Sequence, residues 1–260
     1  MRSVAGCGVG LAIAAGLGLA APPPAGGCRR ALARDTALVI RGLLLDFYGT
    51  VVEEDDEVVA SICARAAQTS PGEVTGEQVS AAWWRAFCAA MGAAPFRTQR
   101  EIAVSSLATA LRATGCGADP AALCEEQFRF WRTAPLRPGT RAFLDSVQLP
   151  VCIVSNVDRA DLEAVLAFHG LSFRAVVTSE DVAAYKPSPR IFQQALALLG
   201  LNADEVWHVG DSLSADVAGA RAAGIGAVWV NRRGRPVPDG VDPAFVIGDL
   251  TDLTARLPVR

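Results

Sequence analysis

Residues 38 to 50 read LVIRGLLLDFYGT, an apolar run broken only by Arg41 that ends on Asp46 and turns through Tyr48, Gly49 and Thr50. A short run this apolar suits a strand covered on both faces, the environment of a parallel sheet. The same pattern returns as PVCIVSN (150–156), RAVVTSE (174–180), EVWHVGD (205–211) and GAVWVN (226–231), with AFVIGDL (244–250) as a last edge. Helix-like stretches alternate with these runs, so the expected class is an α/β fold with a parallel sheet. Each run is apolar and then stops on a polar residue. Ligands of open parallel sheets bind at the carboxyl ends of the strands. That rule puts Asp46, Ser155, Asn156, Glu180 and Asp211 along one rim.

Between the first run and the second, roughly a hundred residues carry no strand signal. Four helices are expected there, over Glu53–Gln68, Thr75–Met91, Phe96–Thr114 and Asp119–Trp131. Ser-Pro-Gly, Gly-Ala-Ala-Pro and Gly-Cys-Gly breaks separate them. A crossover between parallel strands needs only one helix, so four make an inserted helical module. Pro135 and Pro138-Gly139 mark the return, and a helix over Thr140–Val147 leads into the second strand. The expected division is a core of 38–52 and 138–260 around a helical module of 53–137.

The chain has 260 residues, 51% of them hydrophobic, which suffices for a sizeable core and excludes disorder. With 24 basic against 27 acidic side chains and a net charge of -3, it has no electrostatic footprint for nucleic acid or an anionic membrane. Seven scattered cysteines without a CxxC or CxxH pair argue against a disulfide scaffold and a thiolate zinc site, and read as small buried hydrophobes in a reducing compartment. A cytoplasmic protein is expected, as monomer or homodimer. Residues 1–37 form a separate lead. Arg2, the uncharged stretch Val4–Ala21 and Pro22-Pro23-Pro24 have the outline of an export signal, or of sequence upstream of a miscalled start. The stretch is too rich in Gly and Ala for a stable membrane span.

Each rim residue admits a plain reading and a chemical one. Asp46 can cap a strand, or serve as nucleophile or metal ligand. Gly49 permits a tight turn, and the Thr50 hydroxyl can hold the carboxylate or an anion. Ser155-Asn156 can cap a helix starting near Asp158, or cradle an anion there. Lys186, the only lysine of the chain, sits in YKPSPRIF before a helix over Pro189–Leu199 and can aim a fixed cation at the rim. Asp211 and Asp216, in GDSLSAD, can share a hard cation with oxygen ligands. In the insert, WWRAF (83–87), Arg97 and Arg100 can hold a substrate anion or simply pack a helix surface.

Taken in order, Asp46–Thr50, Ser155, Lys186 and Gly210–Asp216 resemble the four motifs of the haloacid dehalogenase (HAD) superfamily of hydrolases, over residues 38 to about 250. The resemblance implies a Rossmann-like parallel sheet core with an inserted α-helical cap. It implies a phosphatase-like reaction on a small phosphorylated substrate, with Asp46 forming an aspartyl-phosphate and Ser155 and Lys186 assisting. Mg²⁺ would be held by Asp46, the Tyr48 backbone carbonyl and Asp211, with Asp216 in support. Tyr48, Thr50, Asn156 and Arg97 would contact the substrate. One position departs from the phosphatase pattern: Tyr48 stands where DxDxT has its acid/base aspartate. A phenol is a poor proton donor at neutral pH, so substrates with good leaving groups would suffer least. DxYGT is also similar to the first motif of the 2-haloacid dehalogenases, which leaves carbon–halogen hydrolysis as an alternative. A weakly catalytic phospho-ligand binder is another. Asp211 argues for the metal-using branch.

Overall fold

Six parallel strands form one sheet in the order β3-β2-β1-β4-β5-β6. They are β1 (Gly42–Leu45), β2 (Val151–Ser155), β3 (Ala175–Thr178), β4 (Val206–Gly210), β5 (Gly226–Val230) and β6 (Phe245–Ile247). The computed structural model describes residues 39–257, so the expectations for the lead lie outside the described residues. All six expected strands are present, and the last is an edge. Alternating side chains of β1 feed two apolar layers. Leu43 and Leu45 pack with Ile153, Val209 and Val228 on one face, whereas Leu44 joins Cys152, Val154, Ile191 and Trp229 on the other. Double burial explains the near-continuous apolar composition of these strands.

Between β1 and β2 run α1 (Asp56–Ala67), α2 (Gly76–Met91), α3 (Gln99–Thr114) and α4 (Pro120–Thr133), followed by α5 (Thr140–Ser146). The first four have their own core, built on Ile62, Trp83, Phe87, Leu107, Phe128 and Trp131. Trp83 is wholly buried, and its indole donates to Ser106 Oγ at 3.0 Å. Thr75 and Thr98 start α2 and α3 as capping boxes with Gln78 and Glu101, and Asp119 caps α4. Two helices begin later than expected. Thr98 takes the capping position of α3, which leaves Phe96 and Arg97 outside it. The Glu53 amide donates to Pro135 O at 2.8 Å, so the chain stays extended until α1.

After β2 come α6 (Arg159–His169), then α7 (Ser179–Val182) and α8 (Pro189–Leu199) beyond β3, α9 (Ala218–Ala222) beyond β4, and α10 (Thr251–Thr254) at the end. The start of α6 holds the insert. Asp158 accepts hydrogen bonds from the backbone amides of Gln99 (2.7 Å) and Arg100 (3.0 Å), satisfying two free donors at the start of α3. Buried Asp161 chelates the Arg100 guanidinium through Nε and Nη2, both at 2.6 Å, and accepts from Arg132 Nε of α4 at 2.8 Å. Among the described residues no helix is long and apolar enough to cross a membrane.

Cys63, Cys88, Cys116, Cys124 and Cys152 are free thiols. Burial pushes Cys63, Cys124 and Cys152 each up to about 12, where reactive thiolate is scarce. Maleimide labelling read by peptide mass mapping is expected to leave these three unmodified in the native protein and to modify all three after denaturation. Native labelling at the rate of a free thiol would contradict the packing.

Candidate active site

Strands β1, β2 and β4 are neighbours, so their carboxyl ends deliver Asp46, Ser155 and Asp211 to one place. Leu45 is in register with Ile153 on one side and Val209 on the other. The Asp46 amide still donates to Val209 O at 2.9 Å, which anchors the first residue beyond β1. Thr50 Oγ1 donates to Asp46 Oδ2 at 3.1 Å.

Lys186 arrives from the α7–α8 connection and is buried. Its backbone is fixed by Asn156, which accepts from the Lys186 amide at 2.7 Å and donates from Nδ2 to the Lys186 carbonyl at 3.3 Å. Its ammonium has three donors and three acceptors: Asp46 Oδ1 at 2.7 Å, Asp216 Oδ1 at 2.6 Å and Val154 O at 3.0 Å. Burial works against the charged form, but Asp216 and Asp46 outweigh it and hold the ammonium above the ordinary lysine range.

Asp216 lies in the wide helical turn Leu213–Val217 that opens α9. Both its oxygens are engaged. Oδ1 also meets His208 Nε2 at 2.9 Å, and Oδ2 accepts from the Ser212 amide at 3.0 Å. Burial would raise this carboxyl, yet Lys186 and His208 hold it well below the usual carboxylate range. Burial lowers His208, and its Nε2, facing a carboxylate oxygen that can only accept, is the donor of this bond. Asp46 moves the other way. Burial pushes it up to about 6 despite the pull of Lys186, and the Asp216 charge adds to the rise. Enclosure in the cleft also raises Asp211 well above its ordinary value, and the carboxylates of Asp46 and Glu54 add to that.

Two glycines make this packing feasible. Gly49 has φ +86°, and a Cβ there would lie 2.8 Å from the Asp211 carboxyl carbon. A Cβ on Gly210 would lie 2.3 Å from Asp216 Cγ.

A cavity of about 910 Å³ opens over these groups, at the upper end of the range for small-molecule sites. Asp46, Tyr48, Ser155, Asn156, Lys186, Asp211 and Asp216 all line it. Two expected contacts lie elsewhere. The Arg97 guanidinium donates to Ser105 Oγ at 3.1 Å and forms no part of the cavity wall, because capping by Thr98 turns it along α3. Thr50 is wholly buried beneath Asp46, so its hydroxyl holds the carboxylate instead of reaching the cavity. Of the WWRAF stretch, Trp83 and Phe87 are core and Trp84 faces the cavity. Arg100 serves Asp161. The Tyr48 hydroxyl donates to Trp131 O of α4 at 2.6 Å, and burial, with Asp161 and Asp55 adding, raises the phenol well above its ordinary value.

Sequence reasoning missed His208, Glu54 and Arg232. His208 had a signal, as the one ionisable side chain inside the apolar run of β4. Arg232 had none. It reaches back to donate to the carbonyl of Gly49 and, at 3.1 Å, to that of Thr50, holding the turn after Asp46.

A family model described as haloacid dehalogenase-like hydrolase matches residues 40–224, so the chain belongs to that family. Among curated relatives, a phosphoserine phosphatase of Thermus thermophilus is 38% identical over 50% of this chain and 55% of its own length. An (S)-2-haloacid dehalogenase of Pseudomonas putida is 27% identical over 83% of this chain and 96% of its own. The chain spans about half the length of the first curated relatives it matches. A solved L-2-haloacid dehalogenase shares the fold with TM-score 0.68 and 25% identity, over 84% of this chain and 99% of that one.

Gly210→Ala is expected to lower stability by about 1–3 kcal/mol, the usual penalty for overpacking. Asp216 must move to admit the methyl group, and it would lose its hold on Lys186. An unchanged denaturation midpoint would show that Asp216 is not held against β4.

Proposed function

We propose that this protein is a metal-dependent phosphatase-like hydrolase of the HAD family, acting on a small phosphorylated substrate. The observation that carries the reading is the charge count at the strand ends. Asp46, Asp211 and Asp216 each present a carboxylate oxygen within 4.8 Å of the others. Lys186 pairs with Asp46 and Asp216, but among the described residues no salt bridge reaches Asp211, which leaves the cluster short of positive charge. An all-oxygen donor set with that deficit fits a divalent cation such as Mg²⁺. Burial raises the carboxyls of Asp46 and Asp211, with neighbouring carboxylates adding, and a cation between them would favour their ionised forms. Asp46, the Tyr48 backbone carbonyl and Asp211 would hold the ion. Asp216, both of whose oxygens are engaged, supports it from behind. Bound there, Mg²⁺ would neutralise charge on the transferring phosphoryl group.

In this reading Asp46 Oδ2 attacks phosphorus, the bond to the leaving oxygen breaks, and water later hydrolyses the aspartyl-phosphate. Lys186 keeps Asp46 ionised and balances the added negative charge, and Ser155 meets the phosphoryl oxygens from β2. The helices of 53–137 act as a cap over the core of 38–52 and 138–260, closing the cavity against water. Tyr48 supplies no acid/base function, because its hydroxyl is engaged with Trp131 O. The leaving group then departs with little help, which favours acyl phosphates and aryl phosphates over alkyl ones. Carbon–halogen hydrolysis is the second reading, favoured by the near full-length match to a 2-haloacid dehalogenase. Asp211 speaks against it, since a departing halide gains nothing from a second carboxylate.

The test is a screen of acetyl phosphate, aryl phosphates and 2-haloacids, each with Mg²⁺ and with chelator. Phosphate release that needs Mg²⁺ and falls by more than about 1000-fold, roughly 4 kcal/mol, in Asp46→Asn is expected. Halide release that persists in chelator would overturn the reading in favour of the second.

A further inference from the structure

We propose that Arg235, on the loop that follows β5, is a specificity-determining residue of this site, its guanidinium taking a second oxyanion, a carboxylate or a further phosphate, carried on the leaving portion of an organic phosphate. The inference rests on the phosphatase reading for the first phosphate and adds what else the substrate bears.

Most cations on the cavity wall are already engaged. Lys186 lies between Asp46 and Asp216, Arg137 meets Glu53 at 3.0 Å and Glu54 at 3.9 Å, and Arg233 meets Asp56 at 3.2 Å and Glu54 at 3.8 Å. Arg232 donates to the carbonyls of Gly49 and Thr50, and among the described residues no carboxylate pairs with it. Arg235 lines the same cavity and is exposed, so a ligand can reach it. Among the described residues its guanidinium has neither a carboxylate partner nor a hydrogen-bond acceptor, and its side chain is spoken for only by an aromatic ring.

Its place is nonetheless fixed. The Asn231 side chain accepts from the Arg235 amide at 3.0 Å and donates from Nδ2 to the Arg235 carbonyl at 2.7 Å, which closes the loop on itself. The guanidinium carbon lies over Trp229, 5.3 Å from the ring centroid, and the Trp229 indole donates to Asp211 O at 2.9 Å. The ring that supports the spare cation is therefore bonded to the strand end that carries Asp211. A guanidinium offers its donors in a planar fork that matches carboxylate and phosphate oxygens, and stacking leaves it less freedom to lose on binding. Arg232, on the same loop, adds positive charge to the attraction. A volume of about 910 Å³ has room for a molecule with an anionic group at each end. A site with a donor fork in place favours the ligand that fills it over the analogue that does not.

The test measures binding to the full chain, with Mg²⁺ and at low ionic strength, by calorimetry. The probes are phosphonates, which are not hydrolysed: short alkyl phosphonates, and the carboxyalkyl phosphonates and diphosphonates of matching chain length. At least one doubly anionic probe is expected to bind about fivefold or more tighter than its alkyl counterpart. Arg235→Met, which keeps an aliphatic chain over Trp229, should bring that ratio to within about twofold. Arg235→Gln should do the same and guards against misfolding of the first variant. A gain confined to the carboxyalkyl probes identifies the second group as a carboxylate, and one confined to the diphosphonates identifies it as a phosphate. The proposal is overturned if no doubly anionic probe gains, or if the gain survives both substitutions. Release of phosphate from acetyl phosphate by the unmodified chain separates this from the reading beneath it. An Arg235-dependent gain without such release would sink the hydrolytic reading and keep the subsite. Release without such a gain would do the reverse.

Discussion

A fully enclosed ammonium group is tolerable only when each of its protons has an acceptor and its charge has a counterion. Lys186 meets both conditions through Asp46, Asp216 and the Val154 carbonyl. These partners come from the end of β1, from β2 and from the wide turn that opens α9 beyond β4, so one buried cation ties them to the α7–α8 connection. Removing Lys186 would leave two buried carboxylates without their counterion, and breaking a buried pair in this way typically costs about 3–5 kcal/mol. The supporting contacts follow from this need. Asn156 grips the backbone of Lys186 from both sides, His208 and the Ser212 amide occupy two further lone pairs of Asp216, and Gly210 gives Asp216 its room.

The same arrangement sets Asp46 and Asp216 apart chemically. Both touch Lys186, yet one is pushed up to about 6 and the other is held well below the usual carboxylate range. His208 and a backbone amide serve Asp216, while Asp46 faces the cavity with Asp211 and Glu54 nearby. One carboxylate is thus held by Lys186, His208 and a backbone amide, and the other by Lys186 and Thr50 alone. Division of labour between like groups by environment is a general way to build a reactive site.

Strand ends were readable in the sequence because a sheet covered on both faces leaves little choice: each strand must be apolar until it stops, and the stopping residue is where ligands bind. Asp46, Ser155, Asn156 and Asp211 line one cavity for that reason, and Lys186 and Asp216 join them from the helical connections. The four helices of the insert were readable from their breaks and capping residues. Contacts between the insert and the sheet were not, because they depend on how two separately packed bodies meet. Arg97 points along its own helix, whereas Gln99 two residues later lines the cavity, and the start of α3, capped by Thr98 and held by Asp158, sets both. The Tyr48 hydroxyl bond to Trp131 O joins residues 83 apart in sequence, and no local pattern foretells it. Asp161, with Arg100 and Arg132, is likewise a meeting of core and insert that periodicity does not encode.

The most direct measurement is a titration with Mn²⁺, a paramagnetic stand-in for Mg²⁺, followed by electron paramagnetic resonance. The account predicts one bound ion per chain and at least tenfold weaker binding in Asp211→Asn. Absence of bound Mn²⁺, or equal binding by Asp211→Asn, would contradict a cation held between the ends of β1 and β4.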